Sequence, residues 1–224
     1  MKKKTPLKKK TSTSSDASQD ETYWQSRPHD DQQRDWPYAQ DTWLKDYVAS
    51  VDHPHRQLII DTLQTLQWSY LLEVGCSAGP NLIKIRHAFP EKALFGIDVN
   101  HASIEEAKRQ LPNVDFEVAS VHKLPFVDHY FDVVLADAVL MYSNSEQINT
   151  ALDEINRVTR NAVIIVDRYH KSKSGVANHV WARNYPELME DRGFRVATYH
   201  LTANDWPTSK NWQKTGCVFT CLRP

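Results

Sequence analysis

Two stretches of this 224-residue chain constrain everything around them: FDVVLAD at 131–137 and AVIIVD at 162–167. Each is apolar almost throughout, with hardly any polar alternation. A strand of that kind has both faces buried, and it belongs in a parallel sheet covered by helices on either side. The neighbouring segments agree. YLLEV (70–74), ALFGID (93–98) and VDFEVA (114–119) read as strands, and residues 54–66 and 80–88 as helices. HASIEEAKRQL places Ile104, Ala107 and Leu111 on one helical face, and Ile148, Ala151, Leu152, Ile155 and Val158 do the same further on. The repeated strand–helix order predicts an α/β fold, a doubly wound and mostly parallel sheet. The end of the chain breaks the rhythm. A helix near 183–191 is followed by FRVATYH (194–200) and GCVFTCL (216–222), with only a loop between them. Two such strands predict an antiparallel hairpin at the sheet edge.

Composition narrows the class. Apolar residues make up 41% and charged residues 25%, which fits a globular domain with a real core. No apolar run approaches the ~18 residues of a membrane helix. Residues 1–10, MKKKTPLKKK, carry +6 without an apolar segment beside them, so no secretory signal is expected. The overall charge of −1 leaves −7 for residues 11–224, so only the tail suits a nucleic acid by charge. Residues 1–22 lack the apolar side chains to offset ordering and are expected to be disordered. Residues 23–52 differ, with Tyr23, Trp24, Trp36, Tyr38, Trp43 and Tyr47 in one short stretch. They predict an arm packed on the domain of 53–224 and helical from an N-cap at Asp41. Cys76, Cys217 and Cys221 have neither pairing nor zinc spacing, so no metal is expected and a reducing, cytoplasmic setting is.

In an open parallel sheet, ligands bind beyond the carboxyl ends of the strands. The first strand runs into Glu73-Val74-Gly75-Cys76-Ser77-Ala78-Gly79-Pro80-Asn81-Leu82, which holds two of only six glycines. Its G-x-x-x-G spacing is neither a dinucleotide fingerprint nor a P-loop. A plain strand-to-helix turn can use glycine too. The second strand ends in Asp98, where a carboxylate can accept both hydroxyls of a ribose or merely cap the next helix.

Taken together, these segments resemble the class I S-adenosylmethionine-dependent methyltransferases, of the small-molecule kind whose domain is called type 11. E-V-G-C-S-A-G-P-N-L is similar to that family's first motif, with Ser77 in place of the usual middle glycine. G-I-D is similar to the second-strand motif, and L-P-F followed by Y-F-D-V-V-L to the third and fourth. Leu152-Asp153-Glu154-Ile155-Asn156-Arg157-Val158 resembles the E-x-x-R-V helix before strand five. The resemblance covers about 54–224 and implies a Rossmann-like seven-stranded sheet, the last strand inserted antiparallel.

S-adenosyl-L-methionine is the implied cofactor. The resemblance has Glu73 order the turn and meet the methionine amino group, with Gly75, Cys76, Ser77, Gly79 and Asn81 of the same turn around the cofactor. Asp98 would hold the ribose hydroxyls and Val99 lie beside the adenine. Ser120-Val121 stand where the family usually has an acidic residue near the adenine amino group. Asp137 and Ala138 would flank the methionine end. Arg27 in the arm is a further candidate, for the methionine carboxylate, with the arm itself acting as a lid. Arg160-Asn161 replace two glycines common in relatives, and no function follows from that.

The implied reaction needs little acid–base machinery, because the sulfonium is already activated and the protein mainly orients. A base is required only where the acceptor must lose a proton. Asp137, Tyr142 and the His53-Pro54-His55-Arg56 cluster are candidates, although a tyrosine can simply pack and the histidines can simply cap a helix. Cys76 reads as a small packing residue. The D/N-P-P-[YFW] signature of amino-methylating nucleic-acid enzymes is missing, since strand four ends Asp137-Ala138-Val139-Leu140. Trp181, Arg183 and Tyr185 precede the last hairpin, where substrate contacts are expected. The favoured partner is a small-molecule methyl acceptor, acted on by a monomer or dimer with no membrane attachment. A nucleic-acid or protein substrate recruited by the basic tail is an alternative, and an inactive cofactor-binding module is another.

Overall fold

The computed structural model describes residues 24, 25, 46, 48–172, 174–176 and 180–224, with 174–176 described by backbone alone. The basic tail, the proposed cap at Asp41, Arg27 and most of the aromatic arm lie outside these residues. In chain order the elements are α1 (His55–Gln64), β1 (Tyr70–Val74), α2 (Pro80–Ala88), β2 (Ala93–Asp98), α3 (His101–Gln110), β3 (Asp115–Val118) and β4 (Phe131–Asp137). Then follow α4 (Ile148–Val158), β5 (Thr159–Arg168), β6 (Ser174–Val176), β7 (Val180–Ala182), α5 (Tyr185–Glu190), β8 (Arg195–His200), α6 (Lys210–Thr215) and β9 (Gly216–Leu222).

Seven strands form one sheet in the order β3-β2-β1-β4-β5-β9-β8. β1 pairs in parallel with both β2 and β4, so the winding reverses between β1 and β4. β9 runs antiparallel to both β5 and β8. The alternation of side chains along a strand explains the burial of both faces. Val133 and Leu135 of β4 face a core built with Ile59 and Leu63 of α1, Leu82 and Ile85 of α2 and Ile104 of α3. Val134 and Ala136 face Ala151, Leu152 and Ile155 of α4 and Tyr185 and Met189 of α5. The apolar run at 131–137 thus serves two cores at once.

The chain end departs from expectation in two places. β8 and β9 are joined through α6 and not by a plain loop. A small antiparallel pair, β6 with β7, is inserted after β5, and Trp181 sits on β7. These elements are three to six residues long, too short for a periodic pattern to emerge.

The E-x-x-R-V segment has a structural task. Arg157 of α4 donates from Nε to Glu154 at 2.7 Å, and from its terminal nitrogens to the carbonyls of Phe126 (2.7 Å) and Leu124 (3.0 Å). Glu154 in turn accepts the N–H of Leu124 at 2.7 Å. The pair pins the irregular connection between β3 and β4 onto α4. Charge-assisted bonds to backbone of this kind contribute about 1–3 kcal/mol. Arg157→Ala should therefore lower stability by about that much, with hydrogen exchange rising first at Leu124. An unchanged melting temperature would refute this task.

Candidate functional site

A crevice of about 940 Å³ opens at the carboxyl ends of β1, β2 and β4. It lies where the strand order reverses, as the topology of an open α/β sheet dictates. One wall is the turn after β1, with Gly75 and Ser77. The second is Asp98, Val99, Asn100 and Ser103 at the end of β2. Ser120, Val121 and His122 come from beyond β3, and Asp137, Ala138, Val139 and Tyr142 from beyond β4. Trp24 closes the same space from the amino-terminal arm.

The turn needs its glycine. Gly75 has φ of 66°, and a Cβ there would stand 2.4 Å from Val139. Both conformation and contact exclude a side chain. Ser77 (φ 49°) and Ala138 (φ 54°) also adopt the left-handed region, and both line the crevice. Non-glycine residues hold that conformation at a cost of about 1–2 kcal/mol, and such strain gathers at binding sites. Ser77, which stands where the resembled motif has its middle glycine, adopts the left-handed conformation that glycine favours.

Asp98 is not a helix cap. Asn100 caps α3 by accepting the N–H of Ser103 at 3.0 Å. The two Asp98 oxygens accept the backbone N–H groups of Ser77 (2.9 Å) and Asn100 (2.8 Å), tying the first turn to the end of β2. Burial pushes the Asp98 carboxyl above its ordinary pKa, opposed by those backbone donors.

Behind the crevice lies a buried polar cluster joining α1, β1, α2 and β4. One Asp137 oxygen, Oδ2, accepts from His55 Nε2 (2.9 Å), Asn81 Nδ2 (2.9 Å) and Arg56 Nη1 (3.2 Å). Asn81 Nδ2 also donates to Glu73 Oε1 at 2.6 Å, and Asn81 Oδ1 accepts from Arg56. Arg56 is anchored in turn to the carbonyl and hydroxyl of Ser50, each at 2.9 Å. Burial alone would raise the pKa of Asp137, but His55, Arg56 and Asn81 outweigh it and hold the carboxyl well below the usual range. Glu73 goes the other way. Burial, reinforced by the neighbouring Asp137 charge, pushes it up to about 8 despite the bond from Asn81. The cluster therefore keeps one carboxylate charged and its neighbour protonated at neutral pH. Glu73 Oε2 and Asp137 Oδ1 are buried and without a hydrogen-bond partner among the described residues.

The residues expected from the sequence divide into two groups. Gly75, Ser77, Asp98, Val99, Ser120, Val121, Asp137, Ala138 and Tyr142 share the crevice. Glu73, Asn81 and Gly79 lie in the layer beneath it, and Cys76 is buried in the core beside Gly96. Arg27 lies outside the described residues. Ser120 spends its hydroxyl on His122, accepting its N–H at 3.1 Å and meeting Nδ1 at 3.1 Å. Sequence reasoning did not single out His122, Asn100 or Gln147 as lining residues, because nothing in their spacing marks them. Arg183 and Tyr185 are not substrate contacts. Both are fully buried, Arg183 donating to the carbonyl of Leu140 at 3.0 Å and to that of Ser143, Tyr185 donating to Asp167 at 3.1 Å. Arg183 thereby holds the backbone of the turn that carries Tyr142, and Tyr185 packs in the core against Phe219.

The order of the sheet and the place of the crevice define an open, doubly wound α/β domain with its pocket at the strand-order reversal. Residues 71–162 match the family described as a methyltransferase domain. An uncharacterised 37.1 kDa protein of a Streptomyces fradiae transposon is 30% identical over 51% of this chain and 34% of its own length. A phthiotriol/phenolphthiotriol dimycocerosates methyltransferase of Mycobacterium ulcerans is 31% identical over 45% of this chain and 40% of its own. Only about a third of the length of these relatives is spanned. The crystal structure of magnesium protoporphyrin IX methyltransferase from Synechocystis, with bound S-adenosylmethionine, superposes with a TM-score of 0.67. It covers 96% of this chain and 100% of that one at 14% identity, a likeness of fold.

Two outcomes follow. Ser77→Gly should stabilise the protein by about 0.5–1 kcal/mol, since relief of the left-handed serine exceeds the entropy cost of glycine; a lower melting temperature would contradict the strain. Glu73 has a folded pKa raised above its unfolded value, so it is neutral in both states at low pH. Stability is lost as pH rises from about 4.5 towards 8. Denaturant titrations should show Glu73→Gln gaining on the wild type across that window and not below it.

Proposed function

We propose that this protein transfers a methyl group from S-adenosylmethionine to a small-molecule acceptor. The observation that carries the reading is the pairing of Asp98 with the Gly75–Gly79 turn in one crevice at the sheet's reversal point. The donor's parts find complements there. Asp98 offers a carboxylate for the ribose hydroxyls. Val99 and Val121 offer an apolar slot for the adenine. The buried, unpartnered oxygens of Glu73 and Asp137 suit the cationic amino group of the methionine end. When bound, S-adenosylmethionine supplies a methyl on a sulfonium whose sulfur keeps the electron pair of the breaking bond while the acceptor's lone pair makes the new one. The protein's own residues hold and orient both partners and keep water out.

Trp24 supports an arm that closes over the site. Its carbonyl accepts from Asn100 Nδ2 at 2.9 Å, and its ring packs edge-on against Tyr142 at 4.7 Å. A small acceptor is favoured by the missing amino-methylation signature and by the named activity of the mycobacterial relative. The setting proposed is the cytoplasm; no helix among the described residues is long and apolar enough to cross a membrane. Recruitment of a larger substrate by the basic tail is the reading to eliminate, by deleting residues 1–20 and repeating the assay at low salt.

Calorimetry should show S-adenosylmethionine and S-adenosylhomocysteine binding at micromolar affinity, as a donor that must be exchanged requires. Asp98→Asn should weaken both by 10- to 100-fold, about 1.5–3 kcal/mol. Incubation of metabolite extracts with methyl-labelled donor would then reveal the acceptor. A folded sample that binds neither compound would sink the proposal.

A further inference from the structure

We propose that Asn100 is a positioning residue that fastens Trp24 across the crevice, and that the methyl donor enters and leaves only when this bridge opens. The inference rests on the proposed methyl transfer and adds to it what controls exchange of the donor.

The bridge is a chain of contacts from one wall to the other. On the β2 side, the backbone N–H of Asn100 donates to Asp98 Oδ1 at 2.8 Å, and Asn100 Nδ2 donates to the carbonyl of Trp24 at 2.9 Å. On the β4 side, the Trp24 ring meets Tyr142 edge-on, with centroids 4.7 Å apart. Asp98, Asn100, Trp24 and Tyr142 all line the crevice. Trp24 lies 76 positions from Asn100 in the chain, so nothing local holds it there. A molecule seated against Asp98, between those walls, has Trp24 across its way out.

The residue type at the head of α3 explains the arrangement. Asn100 precedes that helix, and its Oδ1 accepts the N–H of Ser103 at 3.0 Å. Serine, threonine or aspartate caps a helix as well. A hydroxyl, however, puts donor and acceptor on one atom, and a carboxylate only accepts. The amide of asparagine carries an acceptor and a donor on separate atoms, so it caps the helix and holds a carbonyl at the same time. Its two partners fix which end is which: an N–H faces Oδ1 and a carbonyl faces Nδ2. Asn100 is buried, so water competes little for either bond. The side chain that sets the first turn of α3 thus also holds Trp24, two residues from the carboxylate proposed for the ribose.

The strength suits a gate. The bridge is one neutral hydrogen bond and one ring pair, each modest in net worth. Contacts of that size keep the crevice covered and still let it open within a catalytic cycle, where release of a product commonly sets the pace.

The test uses the full chain. Asn100→Ser keeps an N-cap and the backbone bond to Asp98 but ends one bond short of Trp24, so its melting temperature should stay near that of the wild type. Stopped-flow displacement should show S-adenosylhomocysteine leaving it about 3- to 10-fold faster, the net worth of one hydrogen bond. Trp24→Ala, which loses the ring on Tyr142, should release it faster by at least as much. The double variant should match Trp24→Ala within about twofold, because either change opens the same bridge. Release at the wild-type rate in Asn100→Ser, or effects that multiply in the double variant, overturns the gate. Trp24→Ala touches no helix cap, so a wild-type release rate there overturns it even if serine caps poorly. In protein labelled with 5-fluorotryptophan, Asn100→Ser should shift the resonance that Trp24→Phe removes; an unmoved resonance means that Asn100 does not hold Trp24, and overturns the bridge. A wild type that binds no S-adenosylhomocysteine overturns the methyl-transfer reading instead, and the fluorine shift still decides the bridge.

Discussion

Three donors converge on one oxygen of Asp137, and most of the site depends on that meeting. His55 and Arg56 arrive from the first turn of α1, Asn81 from the first turn of α2, and the carboxylate itself from the last residue of β4. No short-range interaction brings these segments together; 56 residues separate Asn81 from Asp137 and 82 separate His55 from it. Once the bonds form, the amino-terminal ends of two helices are locked to the strand end that forms the crevice wall. Asn81 extends the lock to Glu73 of β1. Replacing one member would leave a buried charge or donor without its partner, which typically costs several kcal/mol. Such a cluster contributes less to net stability than to holding one arrangement of the helices around the crevice.

A second grip works from the other face of the sheet. The turn after β4 carries Tyr142, yet its backbone is held by residues from far along the chain. Asp167 of β5 accepts the N–H of Met141 at 2.9 Å, and Arg183 takes the carbonyls of Leu140 and Ser143. Tyr185 satisfies the same Asp167. Burial, opposed by these donors, pushes the Asp167 carboxyl up to about 7. Because these backbone groups of the turn are held from β5 and from Arg183, Tyr142 is presented by a supported turn, and Trp24 packs on it from the arm. Strain at Ser77 and Ala138 fits the same picture: left-handed residues persist only where neighbours over-determine the backbone.

The parallel core was legible because its rules are local. β1, α2, β2 and β4 have the bounds that apolar runs, glycines and an N1 proline predict, and the carboxyl ends of those strands identify the crevice. The sequence was silent where structure depends on partners distant in the chain. Nothing local distinguishes Arg183 on a surface from Arg183 buried against the carbonyls of Leu140 and Ser143, and the pair β6–β7 before it is too short to announce itself. Asn100 and Asp98 are both cap-forming residue types two positions apart, and only the geometry shows which one caps α3. Glu73 and Asn81 were expected around the cofactor by resemblance. Their observed contacts are with each other and with Asp137, one layer below the crevice surface.

That layering bears on how two functions can share one carboxylate. All three donors to Asp137 act on Oδ2, and Oδ1 is buried without a hydrogen-bond partner among the described residues. A carboxylate arranged this way has one oxygen committed to the fold and one available for a cation. Its charge is secured by His55, Arg56 and Asn81, so it stays ionised whatever occupies the crevice. Glu73, protonated at neutral pH, spares the site a second buried negative charge while still offering an oxygen. A crevice with two ionised carboxylates side by side would repel itself in the absence of a cation and would be less stable when empty. Splitting the pair into one charged and one neutral member removes that penalty and leaves the crevice polar, open and folded.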